Sequence, residues 1–168
     1  MSEEEQRSCP IDVTPSMIAG LVEVLVLWGG RIDLHRLARE TGMETGLLLR
    51  VAEVARVLRF VEVANGDLIL TKDGQVFSRR GTSGKLGMLK DLVQGLEPFK
   101  SVIALLSSTT APLSVEEINE KLGLCPVDEE QHRKLNSFII DWLVATGILE
   151  YDGETSSFKL RRAKRAKS

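Results

Sequence analysis

The chain has 168 residues, of which 43 % are hydrophobic and 27 % charged, and its formal net charge is −2. That balance suits a protein that buries a core, and it excludes a disordered polymer and a strongly basic nucleic-acid binder. The longest apolar run, Met17–Trp28, is broken by Glu23 and is shorter than the roughly 20 residues of a membrane-spanning helix, so no membrane insertion is expected.

In chain order, Ile18, Leu21, Val22, Leu25 and Trp28 repeat at helical spacing, and Gly29–Gly30 end that helix. Residues 1–14 ahead of it read as a flexible N-terminus, and its Glu3–Glu5 run lacks a signal-peptide pattern, so a cytoplasmic location is expected. Asp33 is placed to cap a helix over Leu34–Glu40 that closes at Gly42, and a third helix runs from about Thr45 to Leu58. Phe60–Val63 and Leu68–Leu70 then pair across Asn65–Gly66, a tight-hairpin signal.

Arg79–Lys85 has the Gly/Ser composition of a linker, and a long amphipathic helix is expected over Leu86–Leu106. Ser114 and Glu117 form a capping box for Val115–Leu122, and Gly123 closes that helix. A further helix runs from about Glu129 to Thr146, and Ile148–Tyr151 pairs with Ser157–Leu160 around Asp152–Gly153–Glu154. Residues 32–43 and 113–124 align without a gap, so the order helix, helix, hairpin is used twice. The expected fold is mainly α with small β-hairpins, an α+β chain of two tandem winged-helix domains over 15–80 and 84–160, with a basic tail over 161–168.

Four strings carry a resemblance to a known family: IAGLVEVL from Ile18, GGRIDLHRLA from Gly29, LRFVEV from Leu58 and GDLILTKDG from Gly66, with Trp142 and Tyr151–Asp152 adding weaker matches. The chain resembles the C-terminal AAA-associated domain that follows the ATPase of nitrate/sulfonate/bicarbonate-type ABC transporters. That resemblance implies a regulatory appendage whose protein partner is an ABC transporter ATPase subunit. The ATPase itself is missing, because no G-x-x-x-x-G-K-[ST] phosphate loop occurs. Ser83–Gly84–Lys85–Leu86 is a fragment of one, but it lacks the hydroxyl after Lys85 and has Arg79 where the first glycine belongs.

No catalytic, metal or cofactor site is expected. Cys9 and Cys125 are isolated, and His35 and His132 lie in different halves with no partner pattern for catalysis. Trp28 and Trp142 fall in apolar stripes and are expected in the core. Two surfaces could meet a partner. In the first half, the outer face of the third helix carries Leu49, Arg50, Glu53 and Arg56. In the second, Ile140, Asp141 and Val144 are expected to be exposed and to meet a protein. The alternative is a DNA-binding regulator, using His132, Arg133, Lys134 and Asn136 with Arg161 and Arg162, and forming a homodimer through the Leu86–Leu106 helix. Against it stand Glu53, Asp141 and Glu129–Glu130, carboxylates where phosphate contact needs cations.

Overall fold

The computed structural model describes residues 10–162. The first half consists of α1 (Pro15–Leu27), β1 (Arg31–Asp33), α2 (Leu34–Thr41), α3 (Thr45–Val57), β2 (Val61–Ala64), β3 (Asp67–Leu70) and α4 (Lys72–Arg79). The second consists of α5 (Thr82–Val93), α6 (Phe99–Ser107), β4 (Leu113–Ser114), α7 (Val115–Leu122), α8 (Glu129–Ile139), a π-helical segment (Ile140–Val144), β5 (Leu149–Asp152) and β6 (Ser157–Leu160). Two antiparallel three-stranded sheets result, ordered β1-β3-β2 and β4-β6-β5.

The capping chemistry reads directly from sequence. Asp33 Oδ1 accepts the Arg36 N–H at 2.9 Å to open α2, and Gly42 closes it at φ +64°. Ser114 and Glu117 form the reciprocal capping box of α7, which Gly123 closes at φ +61°. The aligned segments 32–43 and 113–124 therefore share the same strand, cap, helix and glycine stop. Asn65 and Gly66 both take positive φ, as a two-residue turn that follows the strand twist requires.

Three expectations are corrected here. The single Leu86–Leu106 helix is two helices, because Pro98 lacks the N–H that would continue the ladder and the chain turns over Gln94–Pro98. The Arg79–Lys85 linker is almost wholly helical: α4 ends at Arg79 and α5 begins at Thr82, with the Lys85 ammonium donating to the Ser78 carbonyl at 3.3 Å and to the Arg80 carbonyl. The helix expected to reach Thr146 leaves α-geometry at Ile140, where the Ala145 N–H bonds the Ile140 carbonyl at 2.9 Å.

Buried apolar residues form one contiguous cluster from Val13 to Phe158, so the two halves share a core. Val13 is fully buried, which corrects a flexible terminus reaching Thr14; Met1–Cys9 lie outside the described residues. Phe60 stacks on Phe77 at 4.4 Å in the first half, while Phe99, Phe138 and Trp142 cluster in the second. Trp142 is fully buried as expected, but Trp28 is 37 % exposed at the end of α1, with the Arg36 guanidinium 4.6 Å above its ring. No helix among the described residues is long and apolar enough to cross a membrane.

Candidate interaction surfaces

The outward face of α3 carries Leu49, Arg50, Glu53 and Arg56, all exposed. Both arginines are engaged. Arg50 grips Asp12 with Nε at 3.0 Å and Nη2 at 2.5 Å from Oδ2, and Arg56 Nη2 lies 2.5 Å from Glu53 Oε1. These carboxylate hydrogen bonds hold both guanidinium groups above their usual range. Exposed pairs of this kind contribute about 0–1 kcal/mol to stability, yet they neutralise the cations a phosphate backbone would need.

On α8, Arg133 and Lys134 are exposed, but Lys134 pairs with Glu130 at 3.7 Å and the first turn presents Glu129 and Glu130. Acids suit the positive end of the helix dipole there and disfavour a nucleic-acid approach. Asn136 is half-buried. Ile140 and Val144 are half-buried and packed on the core, which corrects their expected exposure: α5 lies against the π-helical segment and covers part of that side. Asp141 remains half-buried, in a cleft of about 520 Å³ between residues 11–14 and α8 that Arg133 and Phe138 also line.

Burial pushes the Asp141 carboxyl above its usual range. An acid whose folded pKa is raised favours the fold while protonated, and that contribution is lost as pH rises through the folded value. Asp141→Asn is therefore expected to raise stability at neutral pH and to leave it unchanged below the carboxylate range. Urea denaturation at the two pH values measures both.

His132 is not free to read bases. The buried Asn119 Oδ1 accepts the Leu124 and Cys125 N–H groups at 2.8 and 3.0 Å, which fixes its amide orientation. Its Nδ2 then donates to the Cys125 carbonyl at 3.0 Å and faces His132 Nε2 at 3.1 Å, so Nε2 accepts and the ring is held against the α7–α8 loop. Burial pushes the Cys125 thiol up, away from the thiolate form. Asn119→Ala is expected to cost about 2–3 kcal/mol, because several half-buried partners lose their bonds together. Thermal unfolding followed by circular dichroism measures that loss.

An exposed apolar patch that sequence periodicity did not single out lies at the end of α1: Val26 is 46 % and Leu27 84 % exposed, beside Trp28. The stripe that builds the core also places these residues on its outer edge. His35 is exposed nearby in sequence, and no group of three or more metal-ligating side chains occurs among the described residues. Arg161 and Arg162 are exposed beyond β6, while the rest of the basic tail lies outside the described residues.

These observations define a mostly helical α+β protein with two small antiparallel sheets on one core. Residues 35–152 match the family described as the C-terminal AAA-associated domain, and the chain belongs to that family. No curated protein and no solved structure matches it.

Proposed function

We propose that this chain is a non-catalytic cytoplasmic module that regulates an ABC-type anion transporter by binding its ATPase subunit. The observation that carries the reading is the family match over residues 35–152 in a chain without a phosphate loop. Ser83–Leu86, the sequence fragment nearest to such a loop, lies in the first turn of α5, which follows the helix α4 and not the buried strand from which a phosphate loop springs. We read the two helix–strand–helix–helix–hairpin sets as tandem winged helices with bounds near 15–80 and 84–160, used as protein-contact scaffolds; their repeated element order supports that reading. The Val26–Trp28 patch supplies an exposed apolar surface around the Trp28 ring, and tryptophan is among the residue types that dominate contact energy.

The full chain is expected to hydrolyse no ATP alone, to bind the ATPase subunit of the transporter it serves, and to change that subunit's hydrolysis rate. Leu27→Asp should weaken binding at least about tenfold with an unchanged melting temperature, since Leu27 is 84 % exposed. Lack of association in a calorimetric titration overturns the reading.

The DNA-binding alternative is favoured only by the winged connectivity. It competes with paired arginines on α3, acids at the start of α8 and an engaged His132. A gel-shift titration at physiological salt separates the two, with sequence-specific binding supporting the alternative.

A further inference from the structure

One charged cluster lies apart from the α3 face, the α8 face and the Val26–Trp28 patch. Lys90 and Gln94 of α5, Ile103 of α6, Ile148 ahead of β5, and Arg161 with Arg162 beyond β6 line a cleft of about 570 Å³. We infer that this cleft is a binding site for a small organic anion, a phosphate or carboxylate head carried on an apolar body.

Charge is the first argument. Residues 81–162 hold nine Lys and Arg against twelve Asp and Glu, yet this cleft gathers three of those nine cations and its wall contains no carboxylate. Ion pairs among the described residues engage Arg31, Arg50, Arg56, Lys134 and Lys159, and none engages Lys90, Arg161 or Arg162. Three like charges lining one concavity repel, and an anion between them removes that repulsion.

Geometry is the second. The Arg161 N–H donates to the Ile148 carbonyl at 3.0 Å, which fixes the start of its side chain at the cleft wall. Gly147, whose φ of +85° favours glycine, also lines the cleft, and the Arg161 Nη1 lies 3.5 Å from where its Cβ would stand, an ordinary contact distance that places the guanidinium against this turn. The Gln94 amide donates to the Lys90 carbonyl at 3.0 Å at the C-terminal end of α5. A forked guanidinium beside an ammonium matches phosphate or carboxylate oxygens. Ile103, Ile148 and Leu160, all half-buried, add an apolar wall for the rest of the ligand, and the volume lies in the usual range of small-molecule sites. The site joins α5 and α6 to the end of β6, and its occupancy does not depend on the ATPase association.

The test is calorimetric titration of the full chain with phenyl phosphate, inorganic phosphate and benzyl alcohol, which carry head and body, head alone and body alone. Saturable binding of phenyl phosphate, at least about tenfold tighter than either of the others, is expected. Arg161→Gln and Lys90→Gln should each weaken it about tenfold, while Lys134→Gln on α8 leaves it unchanged. Circular dichroism and melting temperature check that these exposed-residue variants keep the fold. The inference is overturned if phenyl phosphate shows no saturable binding, or if both cleft variants bind it like the parent. It is equally overturned if the cleft cations serve duplex DNA instead, seen as DNA binding lost in the variants and not displaced by phenyl phosphate.

Discussion

Gly74→Ala is expected to lower stability by about 3 kcal/mol, the largest effect expected of a Gly→Ala substitution in this chain. A Cβ at Gly74 would stand 2.3 Å from the Phe60 carbonyl oxygen and 2.6 Å from Leu70 Cδ1. The Leu70 methyl could rotate away, but the carbonyl cannot, because it already accepts the Thr71 N–H at 3.0 Å. Helix α4 cannot retreat either. Thr71 caps it by accepting the Gly74 N–H at 3.0 Å while its own hydroxyl donates to the Arg59 carbonyl at 2.6 Å, and Phe77 is stacked on Phe60. The same substitution at Gly87, exposed within α5 with nothing within 4 Å of its added Cβ, should stabilise by about 0.5–1 kcal/mol. Opposite shifts of the urea midpoint in the two variants would show that close approach, and not helix propensity, requires Gly74. Equal shifts would refute it.

Trp142→Ala is expected to cost about 4 kcal/mol. The ring is fully buried, 5.3 Å from Phe99 and 6.4 Å from Phe138 between centroids, and its indole N–H donates to the Val13 carbonyl at 2.8 Å. The substitution therefore empties the aromatic cluster and also releases the contact that ties the start of the described chain to its second half. Trp142→Phe keeps much of the packing but removes the donor, so a smaller loss of about 1–3 kcal/mol is expected. Circular dichroism in a urea titration measures both without relying on the tryptophan signal that the substitution removes. A change below about 1 kcal/mol for Trp142→Ala would contradict the assigned role.

Both effects bear on function through the shared core. Val26–Trp28 leaves the end of α1, and α1 packs on α3, β3 and α4, whose placement Gly74 controls. The Lys90–Arg161 cleft is assembled by α5 and the turn after the π-helical segment that holds Trp142. Each surface is thus presented by packing some distance from it, and core variants should perturb binding only through loss of fold.

Local signals in the sequence determined the helices, caps and hairpins. Asp33, Ser114 with Glu117, Gly42, Gly123 and Asn65–Gly66 act within a few residues of themselves, through hydrogen bonds or backbone angles that their own chemistry dictates. Family membership was legible for the same reason, because the strings that carry it are those local elements. The π-helical turn, the short strands β1 and β4, and the helix α4 were not, since short segments lack the periodicity that identifies longer ones.

The tertiary structure alone decided which faces remain outside. Ile140 and Val144 have the spacing of an exposed stripe, but α5 packs against their segment; Trp28 has the spacing of a core residue, but α1 ends there. Arg50 meets Asp12 and His132 meets Asn119 only because distant parts of the chain fold together. Lys90 and Arg161 are likewise far apart in sequence and share one cleft only after folding. Spacing along a chain specifies the direction of a side chain on its own element, whereas exposure depends on what other elements are packed against it.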